Sequence, residues 1–136
     1  MNILEIILPF IIQIESGGCA YAVGDNGEAV GILQIHKCVV DDVNRIQHDT
    51  TYTYDDRYNK DKSIEMFYIY SDYYYHRYLD WSASVTNMRT FVRKDEIVAR
   101  IWNGGYDGTK YMPKYTDSYW KKLKRAIDKL EVTNNG

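Results

Sequence analysis

The segment from Gln13 to Lys37 reads QIESGGCAYAVGDNGEAVGILQIHK and constrains the fold more than any other part of the chain. It overlaps the end of an apolar run whose helical spacing predicts a helix over residues 2–16. A glutamate directly follows the apolar Ile14, and five glycines fall in the next sixteen residues. A helix that was only buried would need neither feature. The pattern therefore predicts a helix that ends at a functional site, where glycines let the backbone turn.

Composition limits the classes of protein to which the chain can belong. Its 136 residues are 45% hydrophobic and 26% charged, which predicts a single globular domain spanning residues 1–136. The net charge of −2 gives no strong field for attracting nucleic acid, so we expect no nucleic-acid partner. The apolar run ends at Ile14 and is too short to span a bilayer, so we also expect no membrane insertion.

The remaining segments predict an α+β fold that is mostly α. Asp25-Asn26-Gly27 is a strong turn signal, and it predicts a small β-hairpin over residues 20–33 between the first two helices. Apolar spacing predicts five helices, at residues 2–16, 39–47, 61–79, 93–102 and 117–131.

Three helices have one face that is predicted to pack inward, and the first contains a proline. In the helix over residues 61–79 this face comprises Ile64, Phe67, Ser71, Tyr74 or Tyr75, and Tyr78. In the first helix this face comprises Ile3, Ile6, Ile7, Phe10, Ile11 and Ile14. In the last helix it comprises Tyr119, Leu123, Ile127 and Leu130. Pro9 predicts a kink in the first helix, or else marks where that helix begins.

Glu15 is the candidate acid of the predicted site. Apolar neighbours at the end of the first helix would disfavour its charged form and raise its carboxyl pKa, which lets a glutamate donate a proton near neutral pH. A solvated glutamate at a helix end is the common alternative for such a residue. The residues that follow Glu15 make the catalytic interpretation the better one.

Four short motifs appear in a consistent order along the chain. They are Glu15-Ser16, Gly31-Ile32-Leu33-Gln34-Ile35, Trp102-Asn103 within ARIWNGG, and Tyr119-Trp120. In this order they resemble the lysozyme-like superfamily, and specifically the soluble lytic transglycosylase (SLT) type and the invertebrate-type lysozymes. Each motif alone is weak, but the four together are fairly specific. The resemblance implies a lysozyme-like fold with a small hairpin between the first helices.

The resemblance also implies roles for individual residues. Glu15 would protonate the departing glycosidic oxygen of a β-1,4 bond between amino sugars. Substrate-binding roles would fall to Ser16, Gln34, His36, Asn103 and Tyr119. Three of these have an alternative role: Gln34 could cap the hairpin, Asn103 could end a helix for backbone reasons, and Tyr119 could pack in the core.

Asp25 leaves the mechanism open. A similar aspartate follows the glutamate in invertebrate-type lysozymes, where it would act as nucleophile or electrostatic stabiliser. An Asp before Asn-Gly is equally a common turn former that bonds its own backbone. Lytic transglycosylases use one glutamate, with the acetamido group and C6 hydroxyl of the substrate completing the reaction.

Tyrosines, cysteines and histidines receive mostly structural interpretations. Tyrosines crowd every side of the helix containing residues 67–81, where packing is favoured over sugar stacking. Cys19 and Cys38 are expected to be free thiols, although a disulfide bond between them is sterically conceivable. No cysteine or histidine spacing typical of a zinc site is present, and we expect no metal or organic cofactor.

The predicted function is cleavage of peptidoglycan glycan strands between N-acetylmuramic acid and N-acetylglucosamine. The alternative is a glycan-binding or structural protein that keeps the fold without catalysis. Because the first residues do not resemble a signal peptide, we expect synthesis in the cytosol. The protein would then reach the bacterial wall after release or as part of a phage particle. The oligomeric state and the biological source are not predicted.

Overall fold

The computed structural model describes residues 2–135 and confirms a mostly helical α+β fold. Over these residues the α-helices are α1 (Ile3–Ser16), α2 (Lys37–Gln47), α3 (Lys60–Ser84), α4 (Lys94–Gly104), α5 (Tyr106–Tyr111) and α6 (Asp117–Asn135). The strands β1 (Val23–Gly24) and β2 (Ala29–Val30) form an antiparallel pair between α1 and α2. Short 3₁₀ turns lie at Asp25–Gly27, Tyr54–Tyr58 and Pro113–Thr116.

The chain divides into two compact units, which are described separately. The first comprises Ile11–Tyr73, and the second comprises the residues up to Phe10 together with those from Tyr74 onward. The prediction that residues 1–136 form one domain stays a prediction.

The unit formed by Ile11–Tyr73 contains the hairpin and the glycine-rich segment. In the hairpin, Val23 pairs with Val30 and Gly24 with Ala29. Its buried apolar residues include Ile11, Ile32, Leu33, Ile35, Val40, Val43, Met66 and Phe67. Three of these eight come from the GILQI motif, so the motif's apolar positions anchor it in the core and leave Gly31 and Gln34 to shape the loop.

The second unit has an apolar core and a buried arginine. Its buried apolar residues include Leu4, Ile7, Leu8, Tyr78, Phe91, Ile97, Ile101, Trp120, Leu123 and Ile127. Arg100 is only 2% exposed, and its guanidinium pairs with the Glu96 and Asp117 carboxylates at 2.8 and 2.7 Å. A buried cation requires such partners, because an unpaired charge away from water is costly.

Most predicted elements are present, with several corrections. The helix α1 continues through Pro9, but its buried face is Leu4, Ile7, Leu8 and Ile11. Ile6 is 40% exposed, because the helical repeat turns it away from the face that Leu4 and Ile7 share. Leu130 is likewise 48% exposed near the end of α6, so its predicted inward position is wrong.

Three stretches of helix exceed the sequence prediction. The helix α6 continues to Asn135, beyond its predicted end at residue 131. The helix α3 runs to Ser84, beyond the predicted end at residue 79, because no glycine or proline interrupts the chain there. The prediction missed α5 entirely, because it has only six residues and contains a glycine.

Candidate active site

Glu15 lies in the last turn of α1, directly before Ser16, the final residue of the helix. Its side chain is partly buried. Beyond Ser16, Gly17 and Gly18 have φ angles of +65° and +91°, which turn the chain out of the helix. The glycines therefore end α1 immediately after the glutamate, as the sequence predicts.

Ser16 connects the end of α1 to the GILQI loop. Its Oγ donates a hydrogen bond to the Ile32 carbonyl at 2.7 Å and accepts one from the Gly18 amide at 3.0 Å. The hydroxyl hydrogen is therefore committed to the protein backbone, and Ser16 holds the segment that carries Glu15 against residues 31–34. Its predicted contact with substrate stays a prediction.

The GILQ sequence forms a tight loop between two paired residues. Val30 and Ile35 exchange backbone hydrogen bonds of 3.3 and 3.0 Å, and the backbone N–H of Gln34 donates to the Gly31 carbonyl. Gly31 and Gln34 have φ angles of +86° and +50°, which reverse the chain direction. The loop shape therefore depends on two residues in the left-handed region of backbone space.

Gln34 turns back toward the hairpin that precedes it. Its Nε2 donates hydrogen bonds to the carbonyls of Ala22 and Gly31 at 3.1 and 3.0 Å. Its Oε1 lies so close to Gly24 that a Cβ on that glycine would come within 2.4 Å of it. Both amide hydrogens thus stabilise the loop, which matches the structural alternative. Substrate binding through Gln34 stays a prediction.

Asp25 and His36 form a pair at the hairpin turn. Asp25 has a φ of +48° in a left-handed stretch that continues through Asn26 and Gly27. Its Oδ2 lies 2.9 Å from Nε2 of His36, the residue that precedes α2. The side chains are 70% and 42% exposed, so the pair lies in a largely solvated environment. Water screens such a pair and weakens its field.

A buried arginine stabilises the loop through hydrogen bonds to backbone carbonyls. Arg57 is 6% exposed, and its guanidinium donates to the carbonyls of Tyr54, Glu28 and Ile35 at 2.8 to 3.2 Å. Its own carbonyl lies against Gly31, where an added Cβ would sit 1.9 Å from the oxygen. Sequence reasoning missed Arg57, since nothing in YDDRYN distinguishes a buried arginine from a surface one.

The segment that carries Arg57 is itself held by polar contacts. Asn44 exchanges two hydrogen bonds with the backbone of Tyr52, at 2.9 and 3.0 Å. The Tyr52 hydroxyl donates to Glu65 at 2.9 Å, and burial together with this carboxylate raises the pKa of Tyr52 to about 12. The backbone around Arg57, which lies against Gly31, is therefore held by hydrogen bonds at several points along residues 44–65.

An exposed aromatic pair lies in the same unit. Tyr21 and Tyr58 stack with ring centroids 6.4 Å apart, and Tyr21 is 79% exposed. The tyrosines that stand out in the sequence lie in α3, where Tyr70 and Tyr78 are buried as the packing interpretation expects. The isolated Tyr21 gave no comparable signal, although exposed rings of this kind can stack on sugar faces.

Asn103 and Tyr119 belong to the second unit. Asn103 is exposed near the end of α4, just before Gly105 with its φ of +82°. Tyr119 lies in the first turn of α6 and is partly buried, while its neighbour Trp120 is 6% exposed. The structural alternative for Asn103 fits this placement. Binding roles for both residues stay predictions.

Residues 2–135 contain no helix with both the length and the hydropathy that crossing a membrane requires. Within the same range, no group of three or more His, Cys, Asp or Glu side chains is arranged to hold a metal ion. Cys19 and Cys38 are free and exposed.

The fold and the site have the features that the resemblance to the lysozyme-like class implies. The chain is mostly helical, with a glutamate at the end of the first helix and a glycine-shaped hairpin and loop after it. The family model described as "Transglycosylase SLT domain" matches residues 1–87, and the chain belongs to this family. No curated protein and no solved structure matches the chain.

The matched residues define what the family assignment covers. They include Glu15, Ser16, Asp25, Gln34 and His36, and they end before Asn103 and Tyr119. Family membership supports a lytic transglycosylase-like function that acts on peptidoglycan.

Proposed function

We propose that the protein cleaves the β-1,4 bond between N-acetylmuramic acid and N-acetylglucosamine in peptidoglycan, with Glu15 as general acid. The observation that carries the proposal is the 2.7 Å hydrogen bond from Ser16 to Ile32, which fixes the end of α1 beside the GILQ loop. A general acid must be held at a defined position relative to the leaving oxygen, and this bond restrains the residue next to Glu15.

We infer that the reaction is lytic transglycosylation. Glu15 donates its proton to the glycosidic oxygen as the bond from that oxygen to C1 of the muramic sugar breaks. A group of the substrate itself then neutralises the positive charge that develops at C1. The Glu15 carboxylate accepts the proton of the sugar's own C6 hydroxyl as O6 bonds to C1. The products are a 1,6-anhydromuramyl end and a free hydroxyl on the departing glucosamine, and Glu15 is protonated again.

The environment of Asp25 favours this mechanism over one that uses two carboxylates. One Asp25 oxygen contacts His36, and the side chain is 70% exposed. A solvated carboxylate stabilises a nearby cation less than a desolvated one does, because water screens its field. Family membership supports the same choice. Delivery to the wall, by release from the cell or within a phage particle, remains part of the proposal.

Mass spectrometry of digested peptidoglycan tests the mechanism. We expect products with 1,6-anhydromuramyl ends from the wild type, and Asp25→Asn should retain activity within about tenfold and give the same products. Reducing-end products together with a loss of about 10²-fold or more in Asp25→Asn would show instead a hydrolase that depends on Asp25. No cleavage by the folded wild type would favour the non-catalytic glycan-binding alternative.

A further inference from the structure

The charge of the chain is distributed unevenly. Residues 110–125 contain six lysines and arginines and one aspartate, a net charge of +5, although the whole protein carries −2. Lys110 and Lys124 pair with Asp107 and Asp128, which lie just outside the segment. The remaining cations make the segment a local attractor for polyanions, whatever the total charge. The cleavage reaction proposed above uses no cation from this segment.

Two neighbouring clefts lie along this segment. One has a volume of about 370 Å³ and is lined by Arg89, Tyr111, Met112, Pro113, Lys114 and Tyr115. The other, of about 600 Å³, is lined by Lys114, Asp117, Ser118, Lys121, Lys122 and Arg125. Because Lys114 lines both clefts, they adjoin at this residue, and together we call them the basic groove.

The acidic residue that lines the basic groove, Asp117, is already neutralised by two arginines. Asp117 accepts hydrogen bonds from Arg89 at 2.9 and 3.1 Å and from buried Arg100 at 2.7 Å. By contrast, Lys121, Lys122 and Arg125 form no ion pair within the part of the chain that the structure describes. Their charges therefore face the groove without a carboxylate to compensate them.

The wall of the groove is held in place from inside. Arg100 donates hydrogen bonds to the Pro113 carbonyl at 3.1 Å and to the Thr116 hydroxyl at 2.9 Å. Thr116 in turn donates to the same Pro113 carbonyl at 2.8 Å. A loop fixed in this way loses little conformational freedom on binding, which favours affinity.

The groove combines point charges with exposed rings. Tyr115 and Tyr111 are 72% and 59% exposed on one cleft, and the uncompensated cations line the other. Lysine ammonium groups bind phosphate as point charges, and tyrosine rings can pack against the C–H faces of sugar or polyol units. Concave clefts fit a linear chain better than they fit a flat bilayer surface.

We propose that the basic groove binds a phosphodiester-linked polyol or sugar polymer of the cell wall and so holds the enzyme on its substrate. The choice of a wall polymer rests on the proposed function, and the charge complementarity rests on the groove alone. The groove is a second binding site, separate in role from the cleavage of the glycan strand.

Co-sedimentation with purified walls tests the proposal in a Glu15→Gln background, so that the walls stay intact. Walls that carry phosphodiester polymers are compared with walls from which hydrofluoric acid has removed them. The pair Lys121→Gln with Lys122→Gln removes two groove charges, and the matched control Lys60→Gln with Lys62→Gln removes two lysine charges at the start of α3, outside both clefts. Circular dichroism verifies that both double variants fold.

We expect the groove variant to lose about tenfold or more in affinity for untreated walls and to bind with a weaker salt dependence. The control should bind as the parent does. Tyr115→Ala should weaken binding while leaving the salt dependence unchanged. Equal binding to treated and untreated walls, or equal losses in both double variants, would overturn the proposal. So would tighter binding to phosphatidylglycerol vesicles than to walls, which would identify a membrane surface as the partner.

Cleavage assays separate this proposal from the proposed function. With Glu15 intact, the groove variant should cleave treated walls as fast as the wild type does, and slower cleavage would contradict a role confined to attachment. If the wild type binds walls through the groove but cleaves none, the proposed function fails and the groove proposal stands.

Discussion

The loop around residues 22–35 and the region around Arg100 are stabilised by different kinds of interaction. In the first, the side chains of Ser16, Gln34 and Arg57 bond mainly to backbone carbonyls. In the second, Arg100 bonds to the Glu96 and Asp117 carboxylates as well as to the backbone carbonyl of Pro113. The segment that carries Glu15 and the GILQ loop is thus defined by backbone shape, and the basic groove by charge.

This difference predicts which changes each region tolerates. A backbone-defined loop should resist changes in pH and salt but fail when a glycine gains a side chain. A charge-defined region should tolerate small changes in shape but respond to the loss of an ionic partner. The predictions below test this contrast, from the largest expected effect to the smallest.

The largest effect on stability is expected from Arg100→Ala. Removing this buried cation leaves Glu96 without its ionic partner and Asp117 with Arg89 alone, and it should lower the free energy of unfolding by about 3–5 kcal/mol. Arg89 contacts the same Asp117 but is 51% exposed, so Arg89→Ala is the matched control and should cost less than about 1 kcal/mol. Urea unfolding measures both changes. Equal losses in the two variants would contradict a buried ionic centre.

The next effect is expected from Gly31→Ala. The new Cβ would lie 1.9 Å from the Arg57 carbonyl oxygen, at a φ of +86° that disfavours alanine. We expect a loss of about 3 kcal/mol in the free energy of unfolding, from strain and the forced backbone shift together. Wall-clearing activity should fall as well, because the loop that carries Gln34 must move.

Gly27→Ala is the control for backbone strain without a collision. Gly27 has a φ of +93°, and an added Cβ would meet no atom within 4 Å. Its cost should therefore be about 1 kcal/mol. If Gly31→Ala cost no more than this, close packing of the loop on Arg57 would not be what defines its shape.

The smallest effect on stability is expected when the pH is lowered. Hydrogen bonds from Arg89, and further from Arg100, hold the pKa of Asp117 below its ordinary value of 3.8. A lowered pKa in the folded state contributes stability above pH 3.8, and this contribution is lost as the pH falls through the folded-state pKa. Thermal unfolding between neutral pH and about pH 3 should show this loss in the wild type and a flatter curve in Asp117→Asn. Parallel curves would show that Asp117 does not contribute to the acid response.

Sequence patterns predicted the backbone of the segment that carries Glu15 and the GILQ loop well, because its signals are local. The glycines after Ser16, the Asp-Asn-Gly turn and the apolar positions of GILQI each determine nearby backbone. The end of α1 and the hairpin therefore follow from residues that are neighbours in the chain.

The supports of the same segment could not be predicted, because they depend on distant residues. Arg57 reaches the Glu28 carbonyl across 29 positions, and Ser16 reaches Ile32 across 16. An arginine or a serine has no local pattern that reveals such a partner. The same reason explains why Gln34, predicted as a binding residue or a cap, is seen to hold the loop only once the structure places the carbonyl of Ala22 beside it.

Glu15→Gln tests the central claim most directly, measured as the rate of peptidoglycan cleavage by a variant whose circular dichroism and melting temperature match those of the wild type. The substitution keeps the shape of the side chain and removes the proton that a general acid must donate. We predict a fall in rate of about 10²–10⁴-fold, the usual contribution of general acid catalysis. Wild-type activity in the folded Glu15→Gln variant would contradict the assignment of Glu15 as the acid.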